Sequence, residues 1–182
     1  MTVRTPPLYL QAGTHTAEND RLGIYGNVSA QGTASATDLT VSQSGTPAMT
    51  VSVGAGWAWI LGTTTSTQGM YQTYNDAAVT LTVTAAHATL ARIDRVCLTV
   101  RDAAYAGASN DVILQVVAGT AAASPSAPAI PTSSLSLATI AVAAAATSIV
   151  NANITDTRPL AALRLSAGGG GSVSDIFMLM GG

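Results

Sequence analysis

Two histidines, one cysteine and a few scattered carboxylates are all that the chain offers for acid–base or nucleophilic chemistry. His15 and His87 lie far apart, and neither stands at a metal-ligand spacing, so each reads as a surface or turn histidine. Cys97 is alone, which excludes an intrachain disulfide and a thiolate cluster; its apolar neighbours make it a buried thiol. A glycosidase needs two carboxylates facing each other across a cleft. Asp94, Asp102 and Asp111 could converge in space, but each has a simpler reading as an ion pair or cap at a strand end. There is no nucleophile elbow, and Gly168–Gly171 is followed by no Lys and no helix, so it cradles no phosphate. These patterns predict no catalytic residues, no metal and no cofactor.

Recognition is better represented. Trp57 and Trp59, the only two Trp, are two apart on an expected strand and so share one face. Two indoles side by side can plug a core or a subunit interface, which is the preferred reading, or stack on sugar rings as a glycan platform. Tyr71 and Tyr74 point to opposite faces of their strand and are not expected to extend it. A second candidate is the unbroken apolar run Ile176, Phe177, Met178, Leu179 and Met180, which follows the four glycines. Exposed apolar surface costs roughly 25 cal/mol per Å², so this run is expected to be an assembly peptide docked on another subunit or on another protein of the same assembly, with folding back as an extra strand or plug on its own domain as the alternative.

The elements that must position these residues show period-two alternation. Met49, Val51 and Val53 alternate with Thr50 and Ser52; Val79, Leu81 and Val83 alternate with threonines. From Asp94 to Asp102, Val96, Leu98 and Val100 line one face, with Arg95, Cys97, Thr99 and Arg101 on the other. Val112–Val117 is almost continuously apolar and is expected to be a central strand covered on both sides. Further strands are expected at Trp57–Leu61, Gly69–Tyr74, Leu135–Val142 and Ser148–Ile154. The apolar phase changes between Leu137 and Ile140, which predicts a β-bulge near Ala138. Ala121–Pro131, with three prolines, is expected to be an extended surface connection, and Ala85–Leu90 the only helical turn in the middle of the chain. The resulting fold class is all-β: an antiparallel, jelly-roll-like β-sandwich over 38–164, its strands between about Asp38 and Arg158. It is preceded by an N-terminal arm, 1–37, and followed by a flexible Gly-linked C-terminal peptide, 165–182.

Composition narrows the function. Charged residues are 9% of the chain, against roughly 25% in an ordinary soluble domain. There is no Lys, and the net charge is −2. Without clustered basic residues a nucleic-acid partner is not expected. No signal-peptide pattern opens the sequence, and its Ala-rich stretch near Thr139–Ala146 is too short and too weakly apolar to span a bilayer. The chain is expected to be made in a cytoplasm and to leave it only inside a particle. With so little charge and so much Ser, Thr, Gly and Ala, such a chain is expected to stay soluble either through its hydroxyl groups or by hiding surface in an assembly.

Four ordered blocks carry a resemblance: Leu10–Leu22 (LQAGTHTAENDRL); Gly45–Gly56 (GTPAMTVSVGAG) with Gln68–Tyr71; Ala91–Val96 (ARIDRV) with Val100–Asp102; and Gly119 with the Pro-rich stretch, Leu135–Ala138 and Ile154–Arg158. Together they resemble the minor tail proteins of siphophages of actinobacteria, over about Leu10 to Arg158. The resemblance implies a structural virion protein at the tail tip or baseplate, a symmetric homo-oligomer with a trimer favoured, partnered by other tail proteins. It brings no catalytic residues. A receptor-binding module gripping host-surface glycan through Trp57 and Trp59 is the alternative.

Overall fold

The computed structural model describes residues 13–164. In chain order it contains α1 (Ala17–Asn27), β1 (Val28–Ala30), β2 (Gly32–Thr33), β3 (Val41–Gln43), β4 (Thr50–Val53), β5 (Gly56–Leu61), β6 (Met70–Asn75), β7 (Val79–Thr82), β8 (Arg92–Asp102), β9 (Asn110–Val117), β10 (Ser134–Val142), β11 (Ile154–Asp156) and β12 (Ala162–Leu163). A 3-10 turn at Asn151–Asn153 precedes β11. The described residues are mostly β, in four antiparallel sheets ordered β11-β10-β8-β9, β2-β5-β6, β3-β4-β7 and β1-β12.

One aliphatic cluster joins three of these sheets. It takes Val51 and Val53 from β4, Ala58 and Ile60 from β5, Val96, Leu98 and Val100 from β8, and Leu135, Leu137, Ile140 and Val142 from β10. Leu39, Val83 and Ile149 close it from the connections. Burying each such side chain contributes roughly 1.5–3 kcal/mol. On β10 the phase change is resolved as expected. The register with β8 slips between Ser136 and Ala138, so Leu137 is the extra residue of a bulge. Leu135 and Leu137 on one side of the slip, and Ile140 and Val142 on the other, therefore all reach the same core.

Four expectations are corrected. Val112–Val117 does form a strand, but β9 is the edge of its sheet and only partly buried. Its apolar run reflects partial cover on two faces: Leu114 and Val116 pack on the core, and the opposite face carries Gln115, which bonds Thr99. Ser148–Ile154 is not a strand. Asn153 Oδ1 accepts the Val150 amide, and Asn151 exchanges hydrogen bonds with Gln43, so these Asn side chains draw the chain into a turn and the strand begins at Ile154. Ala85–Leu90 is not helical, because His87 Nδ1 accepts the amides of Thr89 and Leu90.

The fourth correction is α1, where no helix was expected. Thr16 caps it, accepting the Asn19 amide, and Glu18 and Asp20 sit in its first turn, where the helix dipole favours acids. The helix buries no residue, so it has no apolar stripe to be read. Residues 28–33, expected within the arm, supply β1 and β2, and β2 pairs with β5. The Pro-rich connection is extended as expected; it forms a β-bridge from Ala122 to Ala91, and its Pro128 carbonyl accepts from Arg95 Nε.

The packing yields a graded expectation. Ile140→Ala should cost about 2–5 kcal/mol of unfolding free energy, and Val112→Ala, at the exposed end of the row that Leu114 and Val116 continue into the core, under about 1 kcal/mol, by denaturant titration. Equal losses would mean that β9 is not an edge.

Candidate interaction surface

Trp57 and Trp59 share a face of β5, as expected, and that face is turned away from the core, which takes Ala58 and Ile60. The register of β5 with β6 sets Tyr74 opposite Trp57 and Gln72 opposite Trp59. The Trp57 and Tyr74 rings stack with centroids 4.7 Å apart and planes 28° apart. Tyr74 thus joins the tryptophan face, which corrects the expectation that neither tyrosine extends it. A mutual stack covers one face of the indole. The pair is therefore a ridge, not a flat two-ring platform.

The ridge runs into a groove of about 290 Å³ lined by Tyr74, Val79, Leu98, Val112 and Leu114. Trp57 is 46% exposed, Tyr74 60%, Val79 36% and Val112 41%. Half of the large exposed apolar side chains among the described residues thus cluster here, with no charged residue in the groove lining. The groove lies between β7 and β9, each at the edge of its sheet. Among the described residues no backbone hydrogen bond runs from β9 to anything but β8. Edge strands are commonly protected by Lys, Pro, brevity or a bulge. β9 has eight residues and none of these devices, and its one charge, Asp111, is held by Arg101 on β8. Ile176–Met180, the other candidate, lies outside the described residues.

Asp94, Asp102 and Asp111 are engaged in separate contacts and do not converge, and His87 sits exposed in a turn. His15, whose two ring nitrogens are buried without a hydrogen-bond partner, is not the surface histidine expected. Asp94 Oδ1 accepts Arg92 Nε and the Gly119 amide, both at 2.8 Å. Arg92 also donates to the carbonyls of Thr84 and Ala85, so one buried pair ties two connections to β8. A side chain at 119 would stand 2.0 Å from the Ile93 carbonyl oxygen, so glycine is needed for that approach. Asp102 Oδ2 accepts the Tyr71 hydroxyl at 2.7 Å and lies 3.8 Å from Arg21 Nη1. Asp156 and Arg158 pair bidentately, and Arg158 reaches the Asp38 carbonyl. Their mutual hydrogen bonding holds the Asp156 carboxyl below its usual range.

Sequence reasoning missed the polar cluster beneath α1. Arg21 Nε donates to the Gln68 carbonyl at 2.8 Å and Nη2 to the Tyr105 hydroxyl at 2.6 Å, with its guanidinium over the Tyr71 and Tyr105 rings. Gly69, at φ +78°, lets the helix backbone approach, since a Cβ there would stand 2.8 Å from the Arg21 carbonyl carbon. A cavity of about 350 Å³ opens beside Gln68, Asp102 and Ser133. Three of the polar side chains that line it are already used: Gln68 Oε1 takes the Thr64 amide, Ser133 Oγ the Thr63 amide and Asp102 Oδ2 the Tyr71 hydroxyl. Burial pushes the Cys97 thiol up to about 11, so it stays protonated and unreactive near neutral pH. Among the described residues no three His, Cys, Asp or Glu side chains group as a metal site, and no helix is long and apolar enough to cross a membrane.

Arg92→Met should cost about 3–5 kcal/mol in chemical denaturation, because it strands the buried Asp94 charge; a loss under 1 kcal/mol would show that the pair ties nothing. Burial, and then the bond to Asp102, push the Tyr71 hydroxyl up to about 12. A raised folded pKa adds stability that is complete below the unfolded value, about 10, and lost as pH climbs through about 12. Ultraviolet titration should show a tyrosine ionising near 12 that Tyr71→Phe removes; an unchanged curve would refute the assignment.

Compared with known protein families, with curated proteins and with solved structures, the chain matches none.

Proposed function

We propose that the chain is a structural subunit of a bacteriophage tail, of the minor-tail-protein kind found at a tail tip or baseplate. In this reading its sheets form a jelly-roll-like β-sandwich, and it assembles as a symmetric homo-oligomer, a trimer, with other tail proteins. The observation that carries the assembly role is the apolar surface formed by Trp57, Tyr74, Val79 and Val112 beside the open β9 edge. Contiguous exposed apolar patches mark interaction sites, and an unprotected strand edge is a template for pairing. The phage assignment rests on the resemblance of the ordered sequence blocks. The engagement of Asp94, Asp102 and Asp111 in ion pairs and ties supports a structural role over a hydrolytic one.

The glycan-binding alternative is weaker on this geometry. A sugar ring packs on an open aromatic face, and the Trp57–Tyr74 stack removes one. A subunit interface instead uses the ridge as it stands, since Trp and Tyr are preferred anchors at such surfaces.

The purified full chain should have a solution mass about three times its 18.2 kDa, measured by light scattering, and should show no retention on a host-glycan array. A monodisperse monomer at high micromolar concentration would overturn the assembly reading. Specific glycan retention abolished by Trp57→Ala would replace it with the receptor-binding one.

A further inference from the structure

We infer that the groove between β7 and β9 is an acceptor for an added strand, and that its occupant is the segment Ile176–Met180 of a neighbouring copy. This inference rests on the assembly reading and names the contact that would hold the assembly together.

The acceptor has the two features that strand addition needs. The first is a row of backbone groups without partners. β9 pairs with β8 on one side only, and nothing among the described residues takes the amides and carbonyls of its other side. A five-residue extended peptide laid along the part of that edge that β7 leaves open gains main-chain hydrogen bonds at the alternate β9 residues whose amide and carbonyl face away from β8. The second is a set of pockets for alternate side chains. Leu98 lies at the groove bottom, almost fully buried, with Val79, Val112, Leu114 and Tyr74 around it. An incoming strand must therefore be apolar, uncharged and free of proline.

Ile176–Met180 meets each requirement from sequence. It is five consecutive apolar residues without charge or proline, and it contains the chain's only Phe. No other stretch outside the described residues has an unbroken apolar run of this length. It is also within reach. The last described residue, Arg164, is anchored by its amide to the Asn27 carbonyl, at the end of α1. Eleven residues lie between Arg164 and Ile176, and at about 3.3–3.6 Å per residue they and the step onto Ile176 span at most about 40 Å. A domain of this size has a radius of gyration of about 15 Å. The segment can therefore leave its own body and meet another.

Each copy then carries one donor segment and one acceptor edge. Such contacts are head-to-tail, and they close into a ring when the rotation between copies allows. A cyclic trimer fills every acceptor and leaves no donor over.

The test uses the full chain and two variants, Phe177→Asp in the donor and Val112→Asp in the acceptor. Val112 is already 41% exposed, so a charge there leaves the core intact. Hydrogen exchange should show β9 amides protected in the wild-type oligomer. Both variants should lose that protection and dissociate at concentrations at least about tenfold higher than wild type. Mixing the two variants should give heterodimers, the intact donor of Val112→Asp in the intact acceptor of Phe177→Asp, and no closed ring; a mixture that stays monomeric counts against the inference. If wild type is oligomeric and Phe177→Asp remains so with β9 unchanged, the inference falls and the assembly reading stands. If wild type is monomeric, both fall; β9 protected in that monomer would mean the segment fills its own chain's edge.

Discussion

The pairing of β8 with β10 decides which side chains meet. These are the two central strands of the largest sheet, and β10 carries one residue more than its partner across their shared register. Had the ladder run unbroken from Ser134 to Val142, Leu135 and Leu137 would face one way and Ile140 and Val142 the other. Two of the four would then sit among Cys97, Thr99 and Ser136, where the hydroxyls of Thr99 and Ser134 bond each other at 2.8 Å. The slip at Leu137 turns all four toward β4 and β5. It makes one core from three sheets and commits the opposite face to polar contacts and to the Pro-rich connection.

That commitment explains how so few charges suffice. Each of the six described arginines holds a connection or a neighbouring element in place. Arg92 gathers the segment before β8, Arg95 reaches Pro128 and Ser136, and Arg158 reaches across to Asp38. Arg21 fastens α1, Arg101 clasps β9 through Asp111, and Arg164 lies over Tyr25. A guanidinium makes several directed hydrogen bonds at once, which a lysine ammonium on a flexible stem does with less geometric definition. With loops of Ser, Thr, Gly and Ala that offer little to bury, such multiple bonds are what orders them.

Much of the fold was legible because alternation survives wherever one face is dry. β4, β5, β6, β8 and β10 fall within a residue or two of the runs that predicted them, and the bulge could be read from the phase change alone. The helix could not. Gly23 and Gly26 interrupt α1 and no residue of it is buried, so only Thr16 with Glu18 and Asp20 signalled its start. The edge position of β9 was hidden because an apolar run records cover on its faces, not hydrogen bonding along its sides. At the surface, the shared face of Trp57 and Trp59 followed from their spacing. Tyr74 was assigned away from them because its place depends on the β5–β6 register, and the groove needed β7 and β9, which are distant in sequence, to be brought together.

The small β1–β12 sheet has a mechanical meaning. Val28, which follows α1 directly, lies opposite Leu163, and the two strands run antiparallel. Tension applied through the segments that precede β1 and follow β12 therefore acts at the same end of the ladder. Bonds loaded in this way open one after another, as in a zipper, and not all together as in shear. From the C-terminal side such a pull meets this clasp first; from the N-terminal side it reaches the clasp only through α1 and the arginine that fastens it. The aliphatic core would stay closed while the two flanking segments lengthened, so the chain would lend slack to whatever holds it before losing its shape.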